Sequence, residues 1–105
     1  MAYEVILAPE AVEDFRNLKA DQRALVRDAM EIHLRHSPAK TSKSRLKRLR
    51  GLSRPQYRLR VDEIRVFYDV VEEERVVEVL AIIPKSEADA WLNRMGEPDE
   101  GSSAV

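Results

Sequence analysis

Three β-type segments joined by two very short connections constrain the fold of this chain more than any other feature. Residues 57–61 read Tyr-Arg-Leu-Arg-Val, with apolar and charged side chains alternating as in a strand with one buried face. Residues 64–71 and 75–83 are rich in β-branched side chains, and residues 75–83 are mostly apolar. The connections, residues 62–63 and 72–74, have room only for tight turns. The pattern predicts a three-stranded antiparallel meander with its third strand near the centre of the sheet.

The N-terminal part of the chain predicts a strand followed by a helical hairpin. Residues 3–7 form a short aromatic and β-branched run, which favours a strand. Pro9 suits the first turn of a helix, and apolar residues at helical spacing predict that helix over residues 9–19. A second amphipathic pattern predicts a helix over residues 21–36, which stops before Ser37-Pro38. Two consecutive helices of this kind are expected to cover one face of the sheet.

The predicted order of elements is β-α-α-β-β-β-α, an α+β fold with the helical hairpin packed on one face of a small antiparallel sheet. Residues 37–44 are predicted to be a loop, residues 45–52 carry no clear conformational signal, and residues 86–95 predict a short last helix. Together they predict one domain over residues 1–95. Glycine, proline, serine and acidic residues then predict a disordered tail over residues 96–105.

Length and composition narrow the class of protein. A chain of 105 residues, 44% of them hydrophobic, is enough for one small packed core and excludes a TIM barrel or a doubly wound enzyme. The absence of cysteine excludes disulfides and thiolate metal sites. No apolar run reaches the roughly 18 residues of a membrane span, and no signal peptide is recognisable. We therefore expect a cytoplasmic protein that does not contact a membrane.

Positive charge is concentrated in one quarter of the chain. Residues 40–65 hold ten Lys/Arg and two Asp/Glu, a net charge of +8, whereas the whole chain carries −1. Seven of the ten cations are arginine, which favours bidentate contacts with phosphate. This density predicts a polyanionic partner, and a merely solvated cationic loop is the alternative. The residues predicted to bind this polyanion are Lys43, Arg45, Lys47, Arg48, Arg50 and Arg54.

A smaller set of cations is predicted to form a site for a phosphodiester. Period-2 alternation puts Arg58 and Arg60 on one face of their strand, and Arg65 can project beside them from the next strand. Lys85 follows the third strand. Converging cations would stabilise the extra negative charge of a pentacoordinate phosphorus transition state. The alternative is that these cations pair with carboxylates such as Asp62, Glu63 and Glu78.

Trp91, the one tryptophan, has two possible roles. It could stack on a nucleobase, or it could join its helix to the core.

Other catalytic chemistries find little support in the sequence. The two histidines, His33 and His36, lie three residues apart without an evident third ligand, so we expect no metal site. Three glycines in the whole chain leave no phosphate-binding glycine loop, and a Ser-His-Asp triad is not expected. No cofactor is predicted.

The meander and the segment before it resemble the RelE/ParE superfamily of bacterial toxin–antitoxin toxins. The resemblance lies in Leu-Arg-Gly-Leu at 49–52, Tyr-Arg-Leu-Arg-Val at 57–61, Ile-Arg-Val-Phe-Tyr at 64–68 and Val-Leu-Ala-Ile at 79–82. With the N-terminal strand and helix it extends over about residues 3–92. It implies the fold predicted above.

The resemblance implies one of two activities. RelE-like members cut mRNA in the ribosomal A site without a metal ion, by attack of the 2′-hydroxyl on the adjacent phosphate, whereas ParE-like members inhibit DNA gyrase. The RelE-like branch is favoured here; a non-catalytic nucleic-acid-binding module is a further alternative. Both branches imply a cognate antitoxin as partner in a hetero-oligomer. The RelE-like branch also implies the ribosome and mRNA, so the six residues predicted above to bind a polyanion would bind RNA or the ribosome.

Carried over by position, Arg65 corresponds to the arginine that binds the scissile phosphate. Arg58 and Arg60 correspond to basic residues of the active site, and Lys85 to the one after the last strand. Trp91 falls at or near the catalytic tyrosine. Two departures matter, because arginine is a poor general base and tryptophan cannot donate a phenolic proton.

Overall fold

The structure, a computed structural model, describes residues 2–99. Its strands are β1 (Glu4–Leu7), β2 (Leu46–Arg48), β3 (Leu52–Arg54), β4 (Tyr57–Val61), β5 (Ile64–Val71), β6 (Val76–Pro84) and β7 (Glu97–Pro98). Its helices are α1 (Pro9–Arg16), α2 (Ala20–Ala29) and α3 (Lys85–Met95). A main sheet has the strand order β1-β6-β5-β4-β2, and β3 pairs with β7 in a separate two-stranded ribbon.

The predicted meander is confirmed. Strands β4, β5 and β6 are antiparallel neighbours, and β6 lies inside the sheet, as its apolar sequence predicted. The two-residue turn at 62–63 connects the paired residues Val61 and Ile64, and Asp62 adopts a left-handed φ of 55°. The pairing of β5 with β6 shifts register between Phe67 and Tyr68.

The α+β class is also confirmed, but the prediction that the sheet is antiparallel is wrong at one pairing. Strand β1 runs parallel to β6, in register from Glu4↔Val76 to Leu7↔Val79, so the sheet is mixed. The reason is topological: β1 and β6 are far apart along the chain, and no tight turn imposes opposite directions on them. The apolar β6 acquires a neighbour on each side and is thereby buried.

The helical hairpin is confirmed with shorter helices than predicted. Helix α1 ends at Arg16, three residues before the predicted end at residue 19. Helix α2 ends at Ala29 and continues as one π-helical turn over Met30–Leu34, which stops before Pro38 as predicted.

Each face of the sheet carries its own apolar core. The hairpin face buries the larger one, where side chains such as Val26 and Leu34 pack with Leu59 and Val66 of the sheet. Helix α3 covers part of the opposite face, hereafter the α3 face. There Phe67, Ala81 and Ile83 pack with Ala88.

The predicted tail is partly ordered. Disorder was expected from residue 96, and this is wrong for residues 96–99, because Glu97–Pro98 form β7 against β3. The Ser53 hydroxyl donates to the carbonyl oxygens of Glu97 and Pro98, each at 3.3 Å. The remaining part of the predicted tail, residues 100–105, lies outside the described residues.

Candidate nucleic-acid interface

The pairing of three strands places cations side by side on the α3 face. Arg60 lies opposite Arg65 across β4 and β5, and Arg58 lies opposite Phe67 of the same face. On the other side of β4, Lys47 of the edge strand β2 lies opposite Arg58. Directly opposed side chains in a sheet are neighbours, so Lys47 lies beside Arg58 and Arg60 lies beside Arg65. Arg58 and Arg60, two residues apart on β4, connect these two pairs into a stepped row of four cations.

An open pocket of about 360 Å³ lies at the end of this row. Its lining is almost entirely polar and consists of Arg45, Arg60, Asp62, Glu63, Arg65 and Lys85. Arg65 is held in position there, because its Nη1 donates to the carbonyl oxygens of Asp62 (2.9 Å) and Ile64 (3.1 Å). The structure therefore brings together three of the predicted site residues, Arg60, Arg65 and Lys85, with Arg45 from the predicted RNA-binding set.

Arg58 is the most enclosed cation of the row. Its Nη2 donates to the Ser44 carbonyl oxygen at 2.7 Å, while its buried Nε has no hydrogen-bond partner in the described part of the chain. Burial, followed by the positive charges of Arg65 and Arg60, lowers the pKa of Arg58 below its ordinary value. A guanidinium under these conditions is stabilised by any anion that binds beside it.

The carboxylates expected to compete for these cations do not form ion pairs with the three arginines of the row. Glu78 contacts Arg54 (3.4 Å), and Glu63 contacts Lys85 (3.7 Å). Within residues 2–99, no carboxylate forms an ion pair with Arg58, Arg60 or Arg65. The alternative interpretation, pairing with carboxylates, therefore applies to Lys85 and not to the three arginines.

Trp91 does not line the pocket of the arginines. It lies half-buried on α3 and stacks on Phe67, with ring centroids 5.0 Å apart and an angle of 13° between the rings. This is the helix-to-core contact that the sequence left open as an alternative. Since Phe67 already occupies one face of the indole, the structure gives Trp91 a packing role and does not bring it to the predicted phosphate site.

The residues predicted to bind RNA divide into groups. Arg45 and Lys47 belong to the cationic row and its pocket, and Lys43 and Arg50 are exposed on either side of β2. The Arg48 side chain lies on the hairpin face, because Arg48 is paired with Tyr57, and Tyr57 packs against the core of that face. Its Nη1 donates to the carbonyl oxygens of Leu49 and Gln56, both at 2.8 Å, and its guanidinium lies 5.4 Å from the Tyr57 ring centroid.

Arg54, which was also predicted to bind RNA, forms ion pairs with two carboxylates. Its Nε lies 3.7 Å from Asp69 and its Nη2 lies 3.4 Å from Glu78. Asp69 is buried and accepts a hydrogen bond from the Gln56 amide at 2.8 Å, and burial raises the pKa of its carboxyl group. Asp69 was not among the site residues predicted from the sequence. Its position two residues after Phe67 on β5 indicates that it shares the α3 face with the arginines.

The two histidines do not line the pocket that contains Arg60 and Arg65. His33 lines a separate cavity between the hairpin and β2 that also contains Arg45, and burial, then the charge of Arg45, lowers the pKa of His33. Among residues 2–99, no three His, Cys, Asp or Glu side chains are grouped so that they could hold a metal ion.

The sequence matches the family of ParE toxins of type II toxin–antitoxin systems, parDE, over residues 5–89. The chain belongs to this family. It is therefore a toxin of a type II toxin–antitoxin system in the RelE/ParE superfamily, as the resemblance predicted. No curated protein matches the sequence significantly.

Solved structures similar to this toxin carry the RelE name. The isolated RelE toxin of E. coli shares 21% identity over 90% of this chain and 100% of its own, with a TM-score of 0.68. In the RelE–RelB complex of Pyrococcus horikoshii the matching chain shares 21% identity over 81% and 97%, with a TM-score of 0.59. In the RelB–RelE complex of Methanococcus jannaschii the values are 16%, 82% and 96%, with a TM-score of 0.63. At these identities the matches establish a RelE-like fold.

Among residues 2–99, no helix combines the length and the apolar character that crossing a bilayer requires.

Proposed function

We propose that this toxin is a ribosome-dependent endoribonuclease that inhibits translation by cutting mRNA. The observation that carries the proposal is the row of cations on the α3 face, which ends in a pocket lined by Arg60 and Arg65. Three arginines without ion-pair partners in the described residues suit a chain of phosphodiesters better than a neutral or cationic ligand.

The geometry of the pocket supports stabilisation of a phosphoryl transition state. Attack of the mRNA 2′-hydroxyl on the adjacent phosphate adds negative charge to the phosphoryl oxygens. Arg65, held by two backbone carbonyls, and Arg60 opposite it are positioned to bind those oxygens with little reorganisation. Arg58 and Lys47 extend the positive surface along β4 and β2, where the flanking nucleotides of the message would lie.

We also propose a cognate antitoxin as partner in a toxin–antitoxin hetero-oligomer. The similar structures from P. horikoshii and M. jannaschii are complexes of a RelE with a RelB. An acidic segment of such a partner would be complementary to the cationic row, and it would compete with RNA for the same surface. Coexpression with the antitoxin is therefore expected to suppress cleavage.

A translation reaction programmed with a defined mRNA tests the proposed activity, with new 5′ ends mapped by primer extension. The unmodified toxin should cut the message only when ribosomes are present. Arg65→Ala should lower the cleavage rate by about 10²- to 10³-fold, the cost of losing one transition-state donor. Its affinity for ribosomes should fall only a few-fold, by about 2- to 5-fold, because one contact of a broad surface is lost.

The matched control is Arg27→Ala, which removes the same charge from the exposed surface of α2. Both its rate and its affinity should stay close to those of the unmodified toxin. Small and equal effects of Arg65→Ala on rate and affinity would instead favour the non-catalytic binding module.

Inhibition of DNA gyrase is the second candidate function, because the matching family is described by the parDE system. A supercoiling reaction with purified gyrase distinguishes the two. An uncut message together with inhibited supercoiling would overturn the endoribonuclease proposal in favour of gyrase.

A further inference from the structure

The pocket of the arginines contains two carboxylates beside its four cations. Asp62 and Glu63 form the turn between β4 and β5 and line the pocket with Arg60, Arg65 and their neighbours. From the sequence, these two residues were expected to form a turn and to compete for the arginines. Because they line the pocket, their carboxylates are also within the site where a proton acceptor is needed.

A proton acceptor is the element that the proposed cleavage lacks. Arginine remains protonated at physiological pH, so Arg60 and Arg65 can bind phosphate but cannot take the 2′-hydroxyl proton. Trp91 is stacked on Phe67 and carries no acceptor for this step. Of the six lining residues, Asp62 and Glu63 are the ones whose ionised side chains accept protons without first losing one.

Glu63 is better held in place than Asp62. Its carboxylate lies 3.7 Å from the Lys85 ammonium, and its carbonyl oxygen accepts a hydrogen bond from the Lys85 amide at 2.8 Å. The turn is thereby tied to the beginning of α3 at two points. No ion pair or side-chain hydrogen bond positions the Asp62 carboxylate among residues 2–99.

We propose that Glu63 is the general base of the cleavage reaction, an inference that rests on the proposed endoribonuclease function. The ion pair with Lys85 holds the carboxylate on the rim of the pocket. A Glu63 oxygen takes the proton from the 2′-hydroxyl while O2′ forms its bond to phosphorus. The P–O5′ bond breaks, its electron pair leaves with O5′, and that oxygen takes a proton from solvent water. Glu63 then returns its proton to the solvent, which restores the starting state and leaves a 2′,3′-cyclic phosphate and a 5′-hydroxyl.

The test compares Glu63→Gln and Glu73→Gln in single-turnover cleavage of ribosome-bound mRNA over a range of pH. Glu63→Gln should slow cleavage by about 10²- to 10⁴-fold and abolish the rise in rate with pH that a general base produces. Glu63→Asp should recover part of the rate and the pH dependence. Glu73→Gln is the matched control, because it makes the same chemical change on an exposed side chain of the other turn of the meander, outside the pocket. It should cleave close to the rate of the unmodified toxin.

Affinity for the ribosome separates general-base catalysis from simple electrostatics. Glu63→Gln removes a negative charge from a phosphate-binding pocket, so binding should be unchanged or tighter while cleavage is slower. A carboxylate that only repels RNA would give faster cleavage in the same variant, and that result would overturn the inference.

The remaining outcomes are equally decisive. Cleavage by Glu63→Gln at the unmodified rate would contradict the inference and leave the endoribonuclease proposal intact. A loss of rate in Glu73→Gln as large as in Glu63→Gln would show that the net charge of the toxin matters and not the Glu63 carboxylate, and it would overturn the inference. Failure of the unmodified toxin to cut mRNA would count against the proposed function itself.

Discussion

At the scale of single residues, the structure shows how local surroundings change the meaning of a charged side chain. Arg54 and Arg58 belong to the same cationic segment, four residues apart. Arg54 is neutralised by Asp69 and Glu78, whereas Arg58 has like charges as its electrostatic neighbours. Counting cations along the sequence gives both the same weight, although of the two only Arg54 has carboxylate partners among residues 2–99.

Asp14 provides a pH-dependent prediction at this scale. Its Oδ2 accepts a hydrogen bond from the Ile82 amide at 3.0 Å, but burial, followed by the charges of Glu87 and Glu10, raises its pKa. A carboxyl group with a raised pKa in the folded state lowers stability as the pH rises through that pKa. Asp14→Asn keeps an acceptor for Ile82 and removes the charge. The variant should match the unmodified toxin at acid pH and be more stable at neutral pH by roughly 0.3–0.5 kcal/mol, the size of a like-charge pair on a helix.

Urea unfolding at several pH values measures this difference. Glu13→Gln is the control on the same helix, because Glu13 is exposed and forms an ion pair with Arg16 at 2.9 Å. That variant should be unchanged or slightly less stable at neutral pH. A stability difference for Asp14→Asn that is independent of pH would refute the electrostatic explanation.

At the scale of secondary-structure elements, the strands of the meander were predictable because their neighbours are local. Period-2 alternation and two short turns determine strand pairing for β4, β5 and β6 within 28 residues. The β2–β3 region was not predictable, because short cationic segments form strands there only through pairing with strands outside the region. One partner is β4, and the other is β7 beyond α3. The same holds for the parallel pairing of β1 with β6.

Helix α3 yields a prediction about Trp91. Because the indole stacks on Phe67 outside the arginine pocket, its contribution should be to stability and not to catalysis. Trp91→Ala should lower the free energy of unfolding by about 2 kcal/mol or more, since a large aromatic contact is lost. Trp91→Phe should cost about 1 kcal/mol, because an aromatic contact remains. Urea unfolding measures both values.

The cleavage assay completes the test of Trp91. A folded Trp91→Phe toxin should cut mRNA at a rate within about 3-fold of the unmodified toxin, since the rate does not depend on an indole-specific contact. If this variant is as stable as expected and yet fails to cut, Trp91 has the catalytic role that the family resemblance implied.

At the scale of the whole molecule, a chain with a net charge of −1 carries a concentrated cationic surface on one face of its sheet. The sheet achieves this separation by sending alternate residues to opposite faces, so that cations from β2, β4 and β5 meet on the α3 face. Acidic residues from the C-terminal part are placed around Arg54 and along the turns. The resulting asymmetry, and not the net charge, is what a nucleic acid would encounter.

Lys47 and Arg48 test this arrangement, because they are adjacent in sequence and belong to opposite faces. Lys47→Gln should weaken binding of the toxin to ribosomes and reduce the slope of log affinity against log salt concentration by about 0.7, the value for one phosphate contact on a single strand. Arg48→Gln should leave that slope unchanged. Equal effects of the two substitutions would mean that the cationic segment binds as an unstructured charge cluster.

The sequence by itself determined the meander, the hairpin, the α+β class and the set of cations from which a phosphate site could be built. Each of these depends on side-chain periodicity and local turns, which are written in consecutive residues. Only the tertiary structure decided which cations remain available. Asp69 and Glu78 reach Arg54, Phe67 holds Trp91, and Glu63 meets Lys85 at the pocket of Arg65, all through pairs of residues that are distant in the chain. Charge pairing and stacking depend on distance in space, and the folded chain alone sets that distance.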